Sequence, residues 1–285
     1  MPIQMRRRGG FLAGLLSGAS VLVLAGATPL AAELSIDWSK ATATRIQIAE
    51  SDETGETGEG GESGEGGEGG AFAAAAPDER FAANLLAMKG HLLSALELYD
   101  DGEIDAAAPH FEHPRAEHLA AVEPMLDEHG AGELGEELEQ VETAAYGEGG
   151  ESGAIETTWT EAVEAIDAGL EDAIDGSPAR LMSVSLLVLR QAAHEYEEAI
   201  EGDAFALEHE YQDGRGFYRA VRGEIESHAD ELNAIDAAKY AELVAALDAV
   251  GQAWPGAMPP ASPPVTTAEL NAAIAGFEIA ALAFR

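Results

Sequence analysis

The chain has 285 residues, of which 53 are acidic and 15 are basic, so its formal net charge at pH 7 is −38. A surface with that charge repels nucleic acid and anionic membranes, and it attracts cations. The chain contains no cysteine, which excludes disulfides, thiolate metal sites and a lipid-anchored lipoprotein. Adaptation to a saline habitat would explain the acidity equally well, so the charge alone does not indicate metal binding.

Residues 1–32 have the layout of a cleaved signal peptide. Arg6, Arg7 and Arg8 precede an apolar stretch, and small residues close the segment at Ala32. A membrane anchor is the alternative, but the apolar stretch is short and rich in glycine. We therefore expect a periplasmic or secreted protein with no direct membrane insertion after cleavage.

Two runs of glycine and glutamate divide the rest of the chain. Residues 49–76 contain the run GETGEGGESGEGGEGG, which has no aromatic and almost no apolar residue, and we expect 49–76 to form a disordered linker after a short N-terminal segment, 33–48. A smaller run near residue 150 separates two predicted helical subdomains, 78–146 and 155–285.

Both subdomains show the spacing of amphipathic helices, with apolar residues three and four positions apart. The stretch 181–189 is apolar nearly all round, which predicts the central buried helix. Helix starts are predicted at Pro114, at Thr158 with Glu161, at Ser177 before Pro178, and at Thr266 with Glu269. We expect an all-α fold, an antiparallel helical bundle of about seven to nine helices.

Sequence motifs of the common enzyme classes are absent. The chain has no GxSxG, no HExxH, no phosphate-binding glycine loop and no cysteine nucleophile. The acidic DDGEID segment lacks the spacing of an EF-hand and predicts a turn. These observations favour a protein that is not an enzyme.

Histidines are the concentrated chemical signal, and five of the eight lie in residues 91–129. His110, His113 and Glu117 follow one another at intervals of three and four residues. The helix that contains His91 must turn back near Gly102, which brings His91 to a height comparable with that of His110. Imidazole and carboxylate together suit iron, zinc or copper. We predict one site for a metal cation, an iron or copper ion, held by His110, His113 and Glu117, with His91 as a further ligand.

The other histidines have simpler interpretations. We expect His118 and His129 to be solvated and His194 to be exposed beside other charged residues. His228 lies on the apolar stripe of its helix, which predicts a packed core histidine.

Two segments have a recognisable pattern: LYDDGEIDAAAPHFEHPRAEHLAAVEP, residues 98–124, and HEYEEAIEGDAFALEHEYQDGRGFY, residues 194–218. They resemble the extracytoplasmic helical region of bacterial high-affinity iron permease-like proteins. The resemblance covers about a fifth of the chain by this alignment of short motifs. The matching residues are Tyr99, Gly102, Ala107, Phe111, Glu112, Tyr196, Ala199, Ile200, Asp203, Glu210, Tyr211 and Phe217.

The resemblance implies a helical fold and a compartment outside the cytoplasm more directly than it implies ligands. The chain has no RExxE motif, so it is not the permease itself. A single tetratricopeptide-like hairpin fits the first segment as well, but Pro109 interrupts it and no second copy follows at the required period.

These observations predict an exported, non-enzymatic helical protein that binds or delivers a metal cation, iron first and copper second, in metal uptake or homeostasis. Its expected partners are the metal cation and a membrane permease or another envelope protein, with no nucleic acid. The alternatives are a helical interaction or scaffold protein of the cell envelope without a bound metal, and an envelope stress protein with no fixed ligand.

Overall fold

The computed structural model describes residues 68–146 and 152–285, all within one compact unit. The predicted signal peptide, the short N-terminal segment and the linker up to residue 67 lie outside the described residues.

The described chain is built almost entirely from helices, which confirms the predicted all-α class. A two-stranded antiparallel hairpin, β1 (Ile200–Glu201) and β2 (Ala204–Phe205), connects two of them. Shorter helical turns lie at Glu68–Gly70, Glu123–Met125, Gly251–Ala253 and Leu282–Phe284, and a π-helical turn lies at Pro114–His118. The α-helices are α1 (Pro77–Asp101), α2 (Ile104–His113), α3 (Leu119–Val122), α4 (Leu134–Tyr146), α5 (Ser152–Ile174), α6 (Pro178–Glu198), α7 (Glu208–Ser227), α8 (Ala229–Val250) and α9 (Thr267–Ala281).

Helix α1, rather than the predicted stretch 181–189 in α6, is the central helix. Its side chains are buried almost continuously from Phe81 to Leu96, and it packs against α2, α5, α6 and α7. Alanine and glycine alternate with leucine along α1, so neighbouring helices approach it closely on several sides. The apolar stretch in α6 is buried too, but α6 contacts fewer helices.

Two predicted helix starts are wrong. Helix α2 begins at Ile104, and Pro114 lies in the π-helical turn that continues it. A proline that lacks its N–H is tolerated where the hydrogen-bond pattern widens, so Pro114 did not mark a first turn. Helix α5 begins at Ser152, and the Thr158 hydroxyl donates to the Ala154 carbonyl inside the helix.

The other two helix starts are confirmed. The Ser177 side chain accepts a hydrogen bond from the backbone N–H of Arg180 at the start of α6. Thr266 and Glu269 form a reciprocal capping box at the start of α9. Each cap satisfies backbone N–H groups that have no partner within the helix.

The predicted subdomains 78–146 and 155–285 share one core. Helix α1 of the first packs against α5, α6 and α7 of the second, and α4 packs against α5. Local composition shows where a run of glycine and glutamate interrupts the helical pattern, but it does not show which helices bury one another's apolar faces.

The structure also differs from the predicted linker boundary at residue 76. Glu68–Gly70 forms a helical turn, and Phe72 is only 2% exposed. One large aromatic side chain among glycines and alanines anchors this stretch, since its burial contributes about 2–3 kcal/mol.

The C-terminal helix has an exposed apolar side as well as a buried one. Leu270, Ile274 and Phe277 are buried, whereas Ile279 and Leu282 are 70% and 59% exposed. By length and composition, residues 267–284 form the one helical stretch among the described residues that could cross a membrane.

Helices α1 and α7 cross closely at Gly90 and Gly216. A Cβ atom on Gly216 would overlap the Gly90 carbonyl oxygen and lie 2.6 Å from Ser94 Oγ. The Ser94 hydroxyl donates to the Gln212 carbonyl across the same contact, over 2.7 Å. This crossing holds position 91 on α1 close to position 213 on α7.

The substitution Gly216→Ala is expected to destabilise the protein. The added methyl group meets backbone rather than a flexible side chain, so the cost should be about 1–3 kcal/mol. Thermal unfolding followed by circular dichroism should show a melting temperature lower by roughly 3–10 °C.

The matched control is Gly223→Ala on the same helix, where an added Cβ meets nothing within 4 Å. That variant should be stabilised by about 0.5–1 kcal/mol, because alanine is the better helix former. Equal melting temperatures for the two variants would show that the helices do not cross as closely as described.

Candidate metal centre

The four predicted ligands lie together between α1, α2 and α7. His91 is in the middle of α1, His110 and His113 are on α2, and Glu117 is in the π-helical turn. The ring centres of His91 and His113 are 5.0 Å apart, and those of His91 and His110 are 6.4 Å apart. Glu117 Oε2 lies 3.8 Å from His91 Nε2. Whether this group binds a metal remains a prediction.

Asp213 of α7 is the carboxylate that joins these histidines. Its Oδ1 atom lies 2.6 Å from His91 Nδ1 and 2.8 Å from His110 Nδ1. Its Oδ2 atom lies 3.6 Å from His113 Nδ1. The Asp213 side chain is 2% exposed, and one ligand atom from each of the four residues lies within 4.8 Å of the others.

The opposite edge of the His91 ring faces a second group of donors. His91 Nε2 lies 3.0 Å from Glu68 Oε2 and 3.3 Å from His118 Nε2. One ligand atom each from Glu68, His91, Glu117 and His118 again lies within 4.8 Å of the others.

His118 is fully buried, so its predicted solvation is wrong. Its Nδ1 atom lies 3.0 Å from Asn84 Oδ1, and Asn84 donates in turn to the Arg80 carbonyl. Nδ1 therefore carries the proton, and the lone pair of Nε2 faces Glu68 and His91. This is the arrangement that orients histidine ligands in metal sites. Burial lowers the pKa of His118, which favours the neutral ring.

The π-helical turn explains why neighbouring residues reach the same place. Glu117 and His118 are adjacent in sequence, yet both contribute to the second group. The wider turn begins at Pro114, which has no N–H to donate to the preceding helix, and such turns recur at functional sites.

In the metal-free cluster, the opposite charges of the histidine and the carboxylates keep one another ionised. Burial alone would lower the pKa of His91, but the charges of Asp213 and Glu68 outweigh it and hold that pKa well above 6.5. Burial would raise the pKa of Glu68, but the charge of His91 and the hydrogen bond from His91 outweigh it and hold that pKa well below its usual range. The cluster therefore holds a protonated histidine between two ionised carboxylates.

A third group, made only of carboxylates, shares Glu68. It consists of Glu68, Glu195 of α6 and Glu210 of α7, with one oxygen from each within 4.8 Å of the others. Burial, with the neighbouring Glu68 charge, raises the pKa of Glu195 to about 11. Glu195 is therefore neutral at physiological pH.

Two side-chain atoms of the cluster are buried without a hydrogen-bond partner among the described residues. They are His113 Nδ1 and Glu117 Oε2, one in each of the two histidine-containing groups. A buried polar atom left unpaired costs about 1–3 kcal/mol, which a bound cation would offset.

Sequence reasoning missed Asp213, Glu68 and His118. Asp213 is one of 53 acidic residues, and nothing in its spacing distinguishes a buried carboxylate from the exposed ones. Glu68 belongs to the run that was predicted to be disordered. His118 adjoins Glu117, and a regular helix would turn the two side chains about 100° apart.

Among the remaining histidines, His209 Nε2 lies 3.0 Å from Glu210 Oε1 of the third group, whereas His129, His194 and His228 do not belong to these groups. His129 is also buried, contrary to the prediction, stacked on Phe81 with Nδ1 2.8 Å from Asp172 Oδ2. His194 is exposed, as expected. His228 is only partly buried, because it ends α7 instead of lying inside the helix.

Comparison with known families gives one match. Residues 171–282 match the model of the iron permease-associated 4-helix bundle domain, which confirms the resemblance inferred for the segment 194–218. The segment 98–124 lies before the matched range. Comparison with curated proteins and with solved structures gives no match.

The candidate centre extends across the boundary of the matched range. Asp213, Glu195 and Glu210 lie within it, whereas Glu68, Glu117 and the histidines of the cluster precede it. The match therefore describes one side of the centre.

The substitution Asp213→Asn should lower the pKa of His91 in the metal-free protein. Burial lowers this pKa, and the charge of Asp213 is the largest of the effects that raise it. Without that charge, the lowering effect of burial is less fully opposed. Titration of the histidine ring protons by NMR measures the change directly.

The control is Asp172→Asn, which removes the exposed partner of His129 and should leave His91 unchanged. Glu68→Gln should shift the His91 pKa in the same direction as Asp213→Asn, from the other edge of the ring. An unaltered His91 pKa in both cluster variants, with native circular dichroism, would contradict the described contacts.

Proposed function

We propose that this protein binds a divalent metal cation, iron first and copper second, in the buried histidine and carboxylate cluster, and that it delivers this cation in metal uptake or homeostasis. The observation that carries the proposal is the convergence of His91, His110, His113 and Asp213 from three helices, with ligand atoms within 4.8 Å of one another.

The donor set suits a transition metal better than calcium or magnesium. Imidazole nitrogen is a ligand for iron, copper and zinc, whereas the hard cations prefer an all-oxygen shell. His91 and His110 are completely buried, so the cluster lies where water competes little. The helices hold the donors in place before a cation arrives, which reduces the entropy lost on binding.

The family match supports iron as the first candidate. Residues 171–282 match a domain associated with iron permeases, a family of transport rather than of catalysis. That context favours binding and delivery by a protein that is not an enzyme.

The proposed location is the periplasm or the exterior, and the proposed partner is a membrane permease or another envelope protein. Ile279 and Leu282 on α9 and in the turn after it offer exposed apolar contacts for such a partner. The buried side of α9 packs against α6 and α8, so we expect this helix to stay in the bundle.

Metal titration calorimetry tests the proposed function. Anaerobic Fe²⁺, Cu²⁺ and Zn²⁺ should each bind the wild type, with Cu²⁺ the tightest in vitro whatever the physiological cation is. The double variant His110→Ala with His113→Ala loses two direct ligands of this group, so the cation that the group holds should bind at least about 100-fold more weakly. His194→Ala, on the exposed face of α6, should bind as the wild type does.

Equal affinities in the double variant and the wild type would place the site elsewhere. If no cation binds the wild type more tightly than about 100 µM, roughly 5.5 kcal/mol, the scaffold protein without a metal becomes the better description. Elemental analysis of the protein purified from its native source identifies the physiological cation.

Binding should release protons and weaken as the pH falls. The pKa of His91 is held well above 6.5, so its ring is protonated at neutral pH, and coordination through Nδ1, on the side of His110 and His113, must displace the proton on that nitrogen. Titrations in two buffers that differ in ionisation enthalpy should give apparent binding enthalpies corresponding to at least about one proton released per cation. Identical enthalpies in the two buffers would contradict His91 as a ligand.

A further inference from the structure

His91 divides the cluster into two halves, one at each nitrogen of its ring. Nδ1 lies 2.6 Å from Asp213, on the side of His110 and His113. Nε2 lies 3.0 Å from Glu68 and 3.3 Å from His118, on the side of Glu117. We call these the Nδ1 half and the Nε2 half.

Each half has the donors for one cation. The Nδ1 half offers His110, His113 and Asp213 in addition to His91. The Nε2 half offers Glu68, Glu117 and His118 in addition to His91. Four donors are a complete tetrahedral set, and seven different residues exceed what a single ion with bonds of about 2.0–2.2 Å takes from a protein.

Each half also contains one of the unpaired buried atoms. His113 Nδ1 belongs to the Nδ1 half and Glu117 Oε2 to the Nε2 half. One cation in either half would satisfy the atom on its own side and leave the other unpaired. The distribution of these atoms therefore favours two cations over one.

The charges of the seven donor residues balance for two divalent ions. Glu68, Glu117 and Asp213 supply three negative charges as carboxylates. If His91 loses both ring protons, its imidazolate supplies a fourth, and two divalent cations neutralise all four. A buried cluster needs such neutrality, because an uncompensated charge in the interior is costly.

We propose that the centre binds two divalent transition-metal cations, bridged by the imidazolate of His91. One cation bonds to Nδ1 and the other to Nε2, about 6 Å apart, given metal–nitrogen bonds of ~2 Å on both sides of the ring. The two N–H protons of the His91 imidazolium pass to the solvent as the two metal–nitrogen bonds form. This inference rests on the proposed function, since it specifies the number and arrangement of cations at the same centre.

Stoichiometry separates this inference from the proposed function. The full chain, purified metal-free, is titrated with Zn²⁺ and with Cu²⁺, and bound metal is measured after gel filtration. Two ions per chain are expected for the wild type and for the exposed control His194→Ala. One ion is expected for His118→Ala, which weakens the Nε2 half, and one for His113→Ala, which weakens the Nδ1 half.

One ion per wild-type chain would overturn the two-cation inference and leave the proposed function standing. No bound ion would overturn both. His113 is partly exposed, with 18% of its side chain accessible, so its variant should fold even if the substitution of the buried His118 does not.

Electron paramagnetic resonance of the Cu²⁺-loaded wild type tests the bridge without any substitution. An imidazolate between two Cu²⁺ ions couples their spins, so the signal per copper should fall when the second equivalent is added. The His113→Ala variant, with one copper, should give the full signal of an isolated ion. Two bound coppers with full, uncoupled intensity would overturn the bridge.

Discussion

The buried carboxylate of Asp213 is the interaction on which the rest of the centre depends. It accepts from His91 on α1 and from His110 on α2 while it is itself carried by α7, so one side chain ties three helices together. A carboxylate charge buried this deeply destabilises the fold unless it is paired with an opposite charge. The histidines supply that pairing, and they are in turn kept ionised or oriented by the carboxylate.

The backbone crossing of α1 and α7 makes this pairing possible. Gly90 and Gly216 place no Cβ atom at the contact, and Glu97 of α1 pairs with Arg215 and Arg219 of α7. The two backbones are therefore close at the glycines, and salt bridges join the two helices farther along. Positions 91 and 213 lie within one helical turn of the contact at the glycines.

Periodicity predicted the all-α class, the caps at Ser177 and Thr266, and the neighbourhood of His91, His110, His113 and Glu117. These features depend on local spacing and on one reversal of the chain, and both can be read along the sequence. Asp213 depends on which helices pack together across more than 100 residues, and neighbouring positions contain no information on that. His118 depends on the widened turn that begins at Pro114, which a regular helical repeat does not reproduce.

Glu68 differs from the other donors in how it is attached to the protein. It lies in a three-residue helical turn before α1, whereas His91, His110, His118 and Asp213 belong to elements packed into the core. Residues 71–76 join that turn to α1 and include the exposed Ala73 and Ala74. A protease that cut this connection would sever no α-helix, yet it would detach Glu68 from the helical body. Limited proteolysis could thus alter the ligand set of the centre while the bundle kept its fold.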